Sequence, residues 1–241
     1  AKPRLGPLTA HVLRHPRMML DMAPMRSLAG LLGEAFSDPR LRQLFGRYAT
    51  YVGGSPFQSP AVLSLIWHSE AQGVWRVEGG MHRLAQAMRD EAARLGADFQ
   101  FGQRAVRIET QGGRASAVHL EDGTRLGADL MVFNGDPKAL SDGALGPVAE
   151  TAVAPGGVTP RSLSAFVWGF AAEPDGVALA HHNGFFGADP KSEFDDLAAG
   201  RMPRDPTLYV CAQDRGGAEP VGPERFEIIM NGPPGLHPSP E

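Results

Sequence analysis

The sequence contains a single cysteine, Cys211, which excludes an intrachain disulfide and any multi-thiolate zinc or iron–sulfur centre. Alone, it reads as a small buried apolar residue. The longest apolar runs, such as Ser164 to Phe170, stop far short of the roughly 20 residues that a membrane-spanning helix needs. Neither G-x-G-x-x-G nor G-x-x-x-x-G-K-[ST] occurs, so no glycine-rich loop cradles a pyrophosphate at a helix N-terminus. Ala1 to Leu8 lack an initiator methionine and the charged-then-apolar layout of a signal peptide. They read as a start inside a longer chain on the cytosolic side.

Catalytic constellations are equally sparse. Ser27, Ser55 and Ser64 stand in no nucleophile elbow, so nothing indicates an acyl-transfer triad. His68 and Glu70 are two apart on an expected helix, which turns them away from each other and argues against an acid–base pair. His181 and His182 are adjacent, and neighbouring side chains on a strand point to opposite faces. With no carboxylate at ligand spacing, no metal site is expected.

What is present is a chain of 241 residues, 42% hydrophobic, long enough for one large domain or two small ones. Its formal net charge is -4. Residues 1–47 hold eight Lys or Arg against three Asp or Glu, so this first fifth is basic and the remainder acidic. An acidic whole and the lack of a recognisable module argue against nucleic-acid binding.

Three regions follow one another. In residues 9–47, Met18, Met22, Met25, Ala29 and Leu32 recur at helical spacing, with Pro24 expected to kink or divide the helix. That methionine-rich stripe suits either a core or a surface meeting lipid or a long hydrocarbon, with arginines at its rim. Ser37-Asp38-Pro39 opens a helix to about Tyr48, and Ser59-Pro60 another to about Glu70.

In residues 74–140, Gly79-Gly80 precedes a helix from Met81 to Leu95 whose stripe is Met81, Leu84, Ala85, Met88, Ala92 and Leu95. Gly79-Gly80 can face an anion or form a plain turn. Gly96 ends the helix. Strands in Phe99–Thr110, Arg114–Glu121 and Thr124–Phe133 are separated by Gly112-Gly113 and Asp122-Gly123, both hairpin signals. The last of them is expected to return as an apolar strand, Leu130 to Phe133, ending at Asn134-Gly135-Asp136-Pro137. The third region, after a Gly/Pro/Ala-rich connection at 141–160, carries strands at Leu163–Phe170, His182–Phe186, Thr207–Cys211 and Phe226–Met230. An acidic helix is expected near Lys191–Ala199, and a proline-rich tail closes the chain.

Several strings go beyond this pattern. Tyr51-Val52-Gly53-Gly54-Ser55-Pro56-Phe57, Gly73-Val74-Trp75 and Glu78-Gly79-Gly80-Met81 resemble the middle of bacterial carotenoid desaturases of the phytoene dehydrogenase family. So do Ala105 to Thr110, the Glu121-Asp122-Gly123 turn, Ala128 to Pro137, His181 to Phe186, Glu193-Phe194 and Asp205 to Cys211, in the same order. Met81-His82-Arg83-Leu84 leans toward the hydroxycarotenoid desaturase branch, also called methoxyneurosporene dehydrogenases.

The resemblance implies a mixed α/β fold. A partial FAD-binding domain, amine-oxidase-like and Rossmann-type, would occupy residues 72–140. An α+β substrate domain with an antiparallel sheet would take residues 1–71 and 141–230, leaving a tail at 231–241. It implies FAD in the full-length enzyme, a long apolar carotenoid as substrate and a cytoplasmic protein peripheral to the inner membrane. The activity implied is oxidation of a C–C single bond to a double bond with hydride passing to flavin. Cofactor contacts fall on Ala105 and Val106, beside the adenine, and on Asn134, Gly135 and Asp136 at a strand end. No catalytic residue is assigned, since such chemistry asks the site mainly to orient a polyene and exclude water. Two other readings share these features: an amine-oxidase-like flavoenzyme on another substrate, and a non-catalytic lipid- or carotenoid-binding module.

Overall fold

Local capping chemistry starts most of the helices in a computed structural model of the chain, which describes residues 14, 25–217 and 220–235. Two compact units result, one formed by residues 1–76 and 162–241 and the other by residues 77–161. Met18 and Met22 lie outside the described residues.

In the discontinuous unit, the Ser27 hydroxyl accepts from the Gly30 amide at 3.1 Å and opens α1, Leu28–Ala35. Leu28 and Leu32, four apart, are its buried face. This corrects the expected stripe: Met25 precedes the helix in a turn and is 95% exposed, and Ala29 is only half-buried. Asp38 caps α2, Pro39–Gly46, with Pro39 in its first turn, where a missing N–H costs nothing. Phe36 and Phe45 stack at 5.1 Å and hold α2 against α1. The chain then tightens into a 3-10 turn, Arg47–Val52, which Gly53 ends in the left-handed region at φ 64°. The Gly53 carbonyl accepts from the Leu163 amide at 2.8 Å, and a Cβ on Gly53 would lie 2.6 Å from that of Ser162. A second 3-10 turn, Ala61–Ser64, leads into α3, Leu65–Glu70.

The same unit contains an antiparallel sheet of β4, Ser164–Ala172; β5, His182–Phe185; β6, Leu208–Ala212; and β7, Glu224–Gly232, in the order β4-β7-β6-β5. Between β5 and β6 lies α7, Pro190–Ala198, capped by Asp189, whose carboxylate accepts from the Lys191 and Ser192 amides. Strand alternation sorts the sheet's faces. Val210, Ala212 and Phe226 form one core, with Ala172, Leu179 and Ile228 against it. Tyr209 pairs with Gly184 and Ile229, so all three share the opposite face with His182 and Asn231, each two residues along its strand.

The other unit begins with α4, Met81–Arg94. Its apolar stripe has the expected period but stays on the surface, with no buried residue. β1, Ala105–Gln111; β2, Arg114–Leu120; and β3, Arg125–Gly127 form an antiparallel meander. Gly112 and Gly113, at φ 58° and 75°, make the two-residue turn that needs positive φ twice. The second connection has three residues, Glu121 to Gly123: Leu120 N–H donates to the Thr124 carbonyl at 2.9 Å, and Asp122 caps the Thr124 amide. The expected return strand is not formed. Leu130 to Phe133 pair with no strand, Leu130 and Val132 are 79% and 81% exposed, and an extended run without a ladder partner leaves its backbone to water.

Two short helices follow, α5, Pro137–Ser141, and α6, Pro147–Glu150. This compact unit reaches Arg161 where the sequence placed its end at 140. The Leu145 carbonyl accepts from Ile108 on β1, and Arg161 pairs with Asp136. It starts after Arg76, whose guanidinium donates to the Arg215 carbonyl in the first unit. Asn231 and Gly232, expected in the tail, are the last residues of β7. No described helix is long and apolar enough to cross a membrane.

Across the meander, the Glu109 carboxylate accepts from Arg125 at 2.7 Å and meets His119 at 2.8 Å. Arg125 first, then His119, holds the Glu109 carboxyl at about 2 against its ordinary 4.5. A lowered folded-state value stabilises above the ordinary value and is lost as pH falls from 4.5 toward 2. Because the cluster lies at the surface, with Arg125 half exposed, the effect is modest. Unfolding midpoints of wild type and Glu109→Gln, followed by circular dichroism, should differ at neutral pH and converge across that acid window. A difference that persists unchanged into acid would contradict the pairing.

Candidate functional site

A cavity of about 850 Å3 lies within the discontinuous unit. One wall is aromatic. The 3-10 turn sets Tyr48 and Tyr51 three residues apart, where side chains eclipse, and their rings stack at 5.8 Å. Phe45 lies 6.1 Å from Tyr48 and meets Trp67 edge-on at 6.4 Å. The facing surface is the sheet face carrying His182, Gly184, Tyr209, Ile229 and Asn231.

Charged side chains at the cavity are hydrogen-bonded by their neighbours. Glu70 at the end of α3 accepts from the Tyr48 hydroxyl at 2.6 Å and the Tyr51 hydroxyl at 3.2 Å. Burial, reinforced by the Glu70 carboxylate, pushes the Tyr48 phenol up, so it stays a donor. Arg47 donates to Glu193 at 2.9 Å, and the other Glu193 oxygen accepts from Thr207 at 2.8 Å. The Arg47 guanidinium also sits 5.6 Å from the centre of the Phe194 ring.

The sheet face also carries polar side chains. The Tyr209 hydroxyl and His182 Nδ1 are 2.6 Å apart. Burial, followed by His181, lowers His182, and burial raises Tyr209. The Asn231 side-chain nitrogen is buried and has no hydrogen-bond partner among the described residues. All three tyrosines of the chain line this one cavity, which is where amphipathic rings belong if the space is apolar with a few polar points.

The argument that separated the two adjacent histidines fails. β5 begins at His182, His181 lies in the bend before it, and the rings meet edge-on at 4.4 Å. With Cys211 opposite His182, the three offer ligand atoms within 4.8 Å of one another. His181 Nδ1 faces the Arg215 carbonyl at 2.8 Å, which leaves Nε2 toward the buried Cys211 sulfur at 3.9 Å.

The residues assigned from the sequence lie in the other unit. Ala105 and Val106 start β1, with Ala105 exposed and paired to Leu120. Asn134, Gly135 and Asp136 form an exposed turn. No hydrogen bond or ion pair joins the two groups among the described residues. Asp136 is committed locally: its carboxylate caps α5 through the Lys138 amide at 2.9 Å and pairs with Arg161, which holds it at about 2. A Cβ on Gly135 would lie 2.5 Å from the Phe133 ring. Sequence reading missed the cavity residues, and dismissed Glu70 by testing it only against His68. The single Tyr48-x-x-Tyr51 spacing, with Tyr209 as the remaining tyrosine, was the available signal.

The flavin containing amine oxidoreductase family matches residues 26–197. The chain is 54% identical to a hydroxyneurosporene desaturase of Cereibacter sphaeroides and 50% to that of Rhodobacter capsulatus, over 100% of this chain and 49% of each relative. A Rubrivivax gelatinosus hydroxyneurosporene desaturase is 42% identical over 96% of this chain and 45% of its own length. The chain therefore spans about half the length of the curated relatives it matches.

Glu193 has a side chain 1% exposed, against 23% for Arg47. Removing one partner leaves a buried charge uncompensated, at a cost of about 3–5 kcal/mol. All three tryptophans, Trp67, Trp75 and Trp168, belong to this unit, so their fluorescence reports its unfolding. Arg47→Met should lower stability by about 3–5 kcal/mol in urea, and Arg47→Met with Glu193→Met should recover much of it. A loss below about 1 kcal/mol would show that the pair behaves as a surface bridge.

Proposed function

The chain belongs to the flavin-containing amine oxidoreductase family, and on that premise we propose that it is part of an FAD-dependent carotenoid desaturase. The reaction converts a C–C single bond of a carotenoid into a double bond, removing a hydride and a proton. The observation that carries this reading is sequence identity of 50% or more to two hydroxyneurosporene desaturases along the whole chain. The cavity supports it: a wall of stacked aromatic rings suits a rigid, flat hydrocarbon, and the cavity's charged groups are already hydrogen-bonded within the protein.

FAD is the flavin we assign, and when bound it would take the hydride. The residues present fit an edge of such a cofactor. Asn134 is exposed and makes no hydrogen bond among the described residues, while Ala105 and Val106 open a strand. Gly135 supplies backbone without a side chain, although the Phe133 ring already uses part of that space. Asp136 contributes by shaping the turn, since its carboxylate is spent on α5 and Arg161. No loop here holds the pyrophosphate, so this chain supplies only part of the cradle.

The chain's own residues bind and orient the polyene and exclude water from it. A lipid-soluble substrate favours a full-length protein at a membrane surface, which we propose is the cytoplasmic face of the inner membrane. The exposed Met25, Leu41, Phe57 and Leu65 are apolar groups available to meet it.

The test is anaerobic single turnover of the full-length, FAD-loaded protein with hydroxyneurosporene. The expected outcome is bleaching of the oxidised flavin band together with a product lighter by one pair of hydrogens and absorbing further to the red. Binding of the carotenoid with the flavin left oxidised would contradict the reading.

A further inference from the structure

Two histidines converge with the chain's one cysteine at the edge of the cavity. His181 in the bend before β5, His182 at the start of β5 and Cys211 opposite it on β6 offer three ligand atoms within 4.8 Å of one another. All three belong to the discontinuous unit.

The surrounding oxygens fix which nitrogens keep a lone pair. A backbone carbonyl only accepts, so the Arg215 carbonyl, 2.8 Å from His181 Nδ1, places the proton on that nitrogen. His181 Nε2 is then unprotonated, and it is the atom 3.9 Å from the Cys211 sulfur. His182 Nδ1 meets the Tyr209 hydroxyl at 2.6 Å, and with that oxygen as acceptor His182 Nε2 keeps its lone pair as well. An oxygen that holds one ring nitrogen while the other turns to an ion is the usual support of a metal-bound imidazole. A tetrahedral ion about 2.3 Å from sulfur and about 2.0–2.1 Å from nitrogen sets the two ligand atoms about 3.6 Å apart. The separation found, 3.9 Å, needs only a small closure.

A carboxylate stands next in the row. Across the sheet the register runs His182, Cys211, Glu227, Gly169. The Glu227 side chain is half-buried and makes no hydrogen bond or ion pair among the described residues, and Gly169 beyond it has no side chain to crowd it. It brings a negative charge to the strand directly beside the sulfur.

We propose that His181, His182 and Cys211 form a binding site for a divalent ion of the zinc type, with a fourth position open to water on the Glu227 side. Imidazole and thiolate ligands suit zinc, whereas magnesium and calcium take oxygen. Bound there, the ion cross-links the bend ahead of β5 to β6 and fixes the strands that carry His182 and Tyr209 into the cavity wall. Its role is structural and independent of which substrate the cavity takes.

The probe is Co2+, whose spectrum reports both coordination geometry and sulfur ligation. Full-length, FAD-loaded protein, reduced and freed of metal by chelation, is titrated with Co2+ and then with Zn2+, and read as difference spectra. Wild type should develop intense tetrahedral bands to the red of the flavin and a sulfur-to-cobalt charge-transfer band in the near ultraviolet. Zn2+ should erase both and raise the thermal unfolding midpoint. Cys211→Ser should lose the charge-transfer band. His181→Ala should weaken Zn2+ binding by roughly tenfold or more, and Tyr209→Phe by roughly tenfold, as loss of an oxygen behind a ligand does. His68→Ala, on α3, should bind as wild type does. Absence of tetrahedral bands in wild type overturns the site. A charge-transfer band that folded Cys211→Ser retains, or Zn2+ affinity that folded His181→Ala leaves unchanged, also overturns it, because the ion is then held elsewhere. Where a ligand variant does not fold, Tyr209→Phe decides, and unchanged Zn2+ affinity there overturns the site.

Discussion

The ion pair between Arg47 and Glu193 joins residues 146 positions apart, with the whole 77–161 unit inserted between them. It ties the helical segment carrying Phe45, Tyr48 and Tyr51 to α7 and, through Thr207, to the start of β6. Gln43 on the Gly187 carbonyl and Phe57 against Phe194 join the same two walls of the cavity beside it. Removing a carboxylate from water is expensive, and here Arg47, Thr207 and the Phe194 ring offset the cost together. The geometry it fixes brings the phenols of Tyr48 and Tyr51 onto Glu70 and opens the space between the aromatic wall and the sheet.

Legibility in the sequence followed the range of the interaction. Asp38-Pro39, Gly96 and Gly112-Gly113 act within a few residues, so the α2 start, the α4 stop and the first hairpin could be read directly. The four strands of the larger sheet were legible from their apolar runs, their pairing order was not. The Leu130–Phe133 run has strand composition, but its backbone finds no neighbour among the described residues and stays irregular. The α4 stripe shows the same limit, since its period predicts a helix without supplying the surface that would cover it.

The cavity was hidden for a related reason. Tyr48, Glu70, His182, Tyr209 and Asn231 are ordinary residues at unremarkable spacings, and only the register of β5, β6 and β7 brings three of them onto one face. The expectation that His181 and His182 diverge failed on a boundary, because the strand begins one residue later than the pattern implied.

Whether the polyene occupies this cavity is decided most directly by replacing Trp67 with a photoreactive phenylalanine in the full-length protein and illuminating it with hydroxyneurosporene. Val221, 99% exposed on a loop, serves as the control position. The account predicts a carotenoid adduct at position 67 that excess unreacted carotenoid analogue suppresses, and none at 221. Equal labelling at the two positions, or labelling at 67 that competition leaves unchanged, would contradict it.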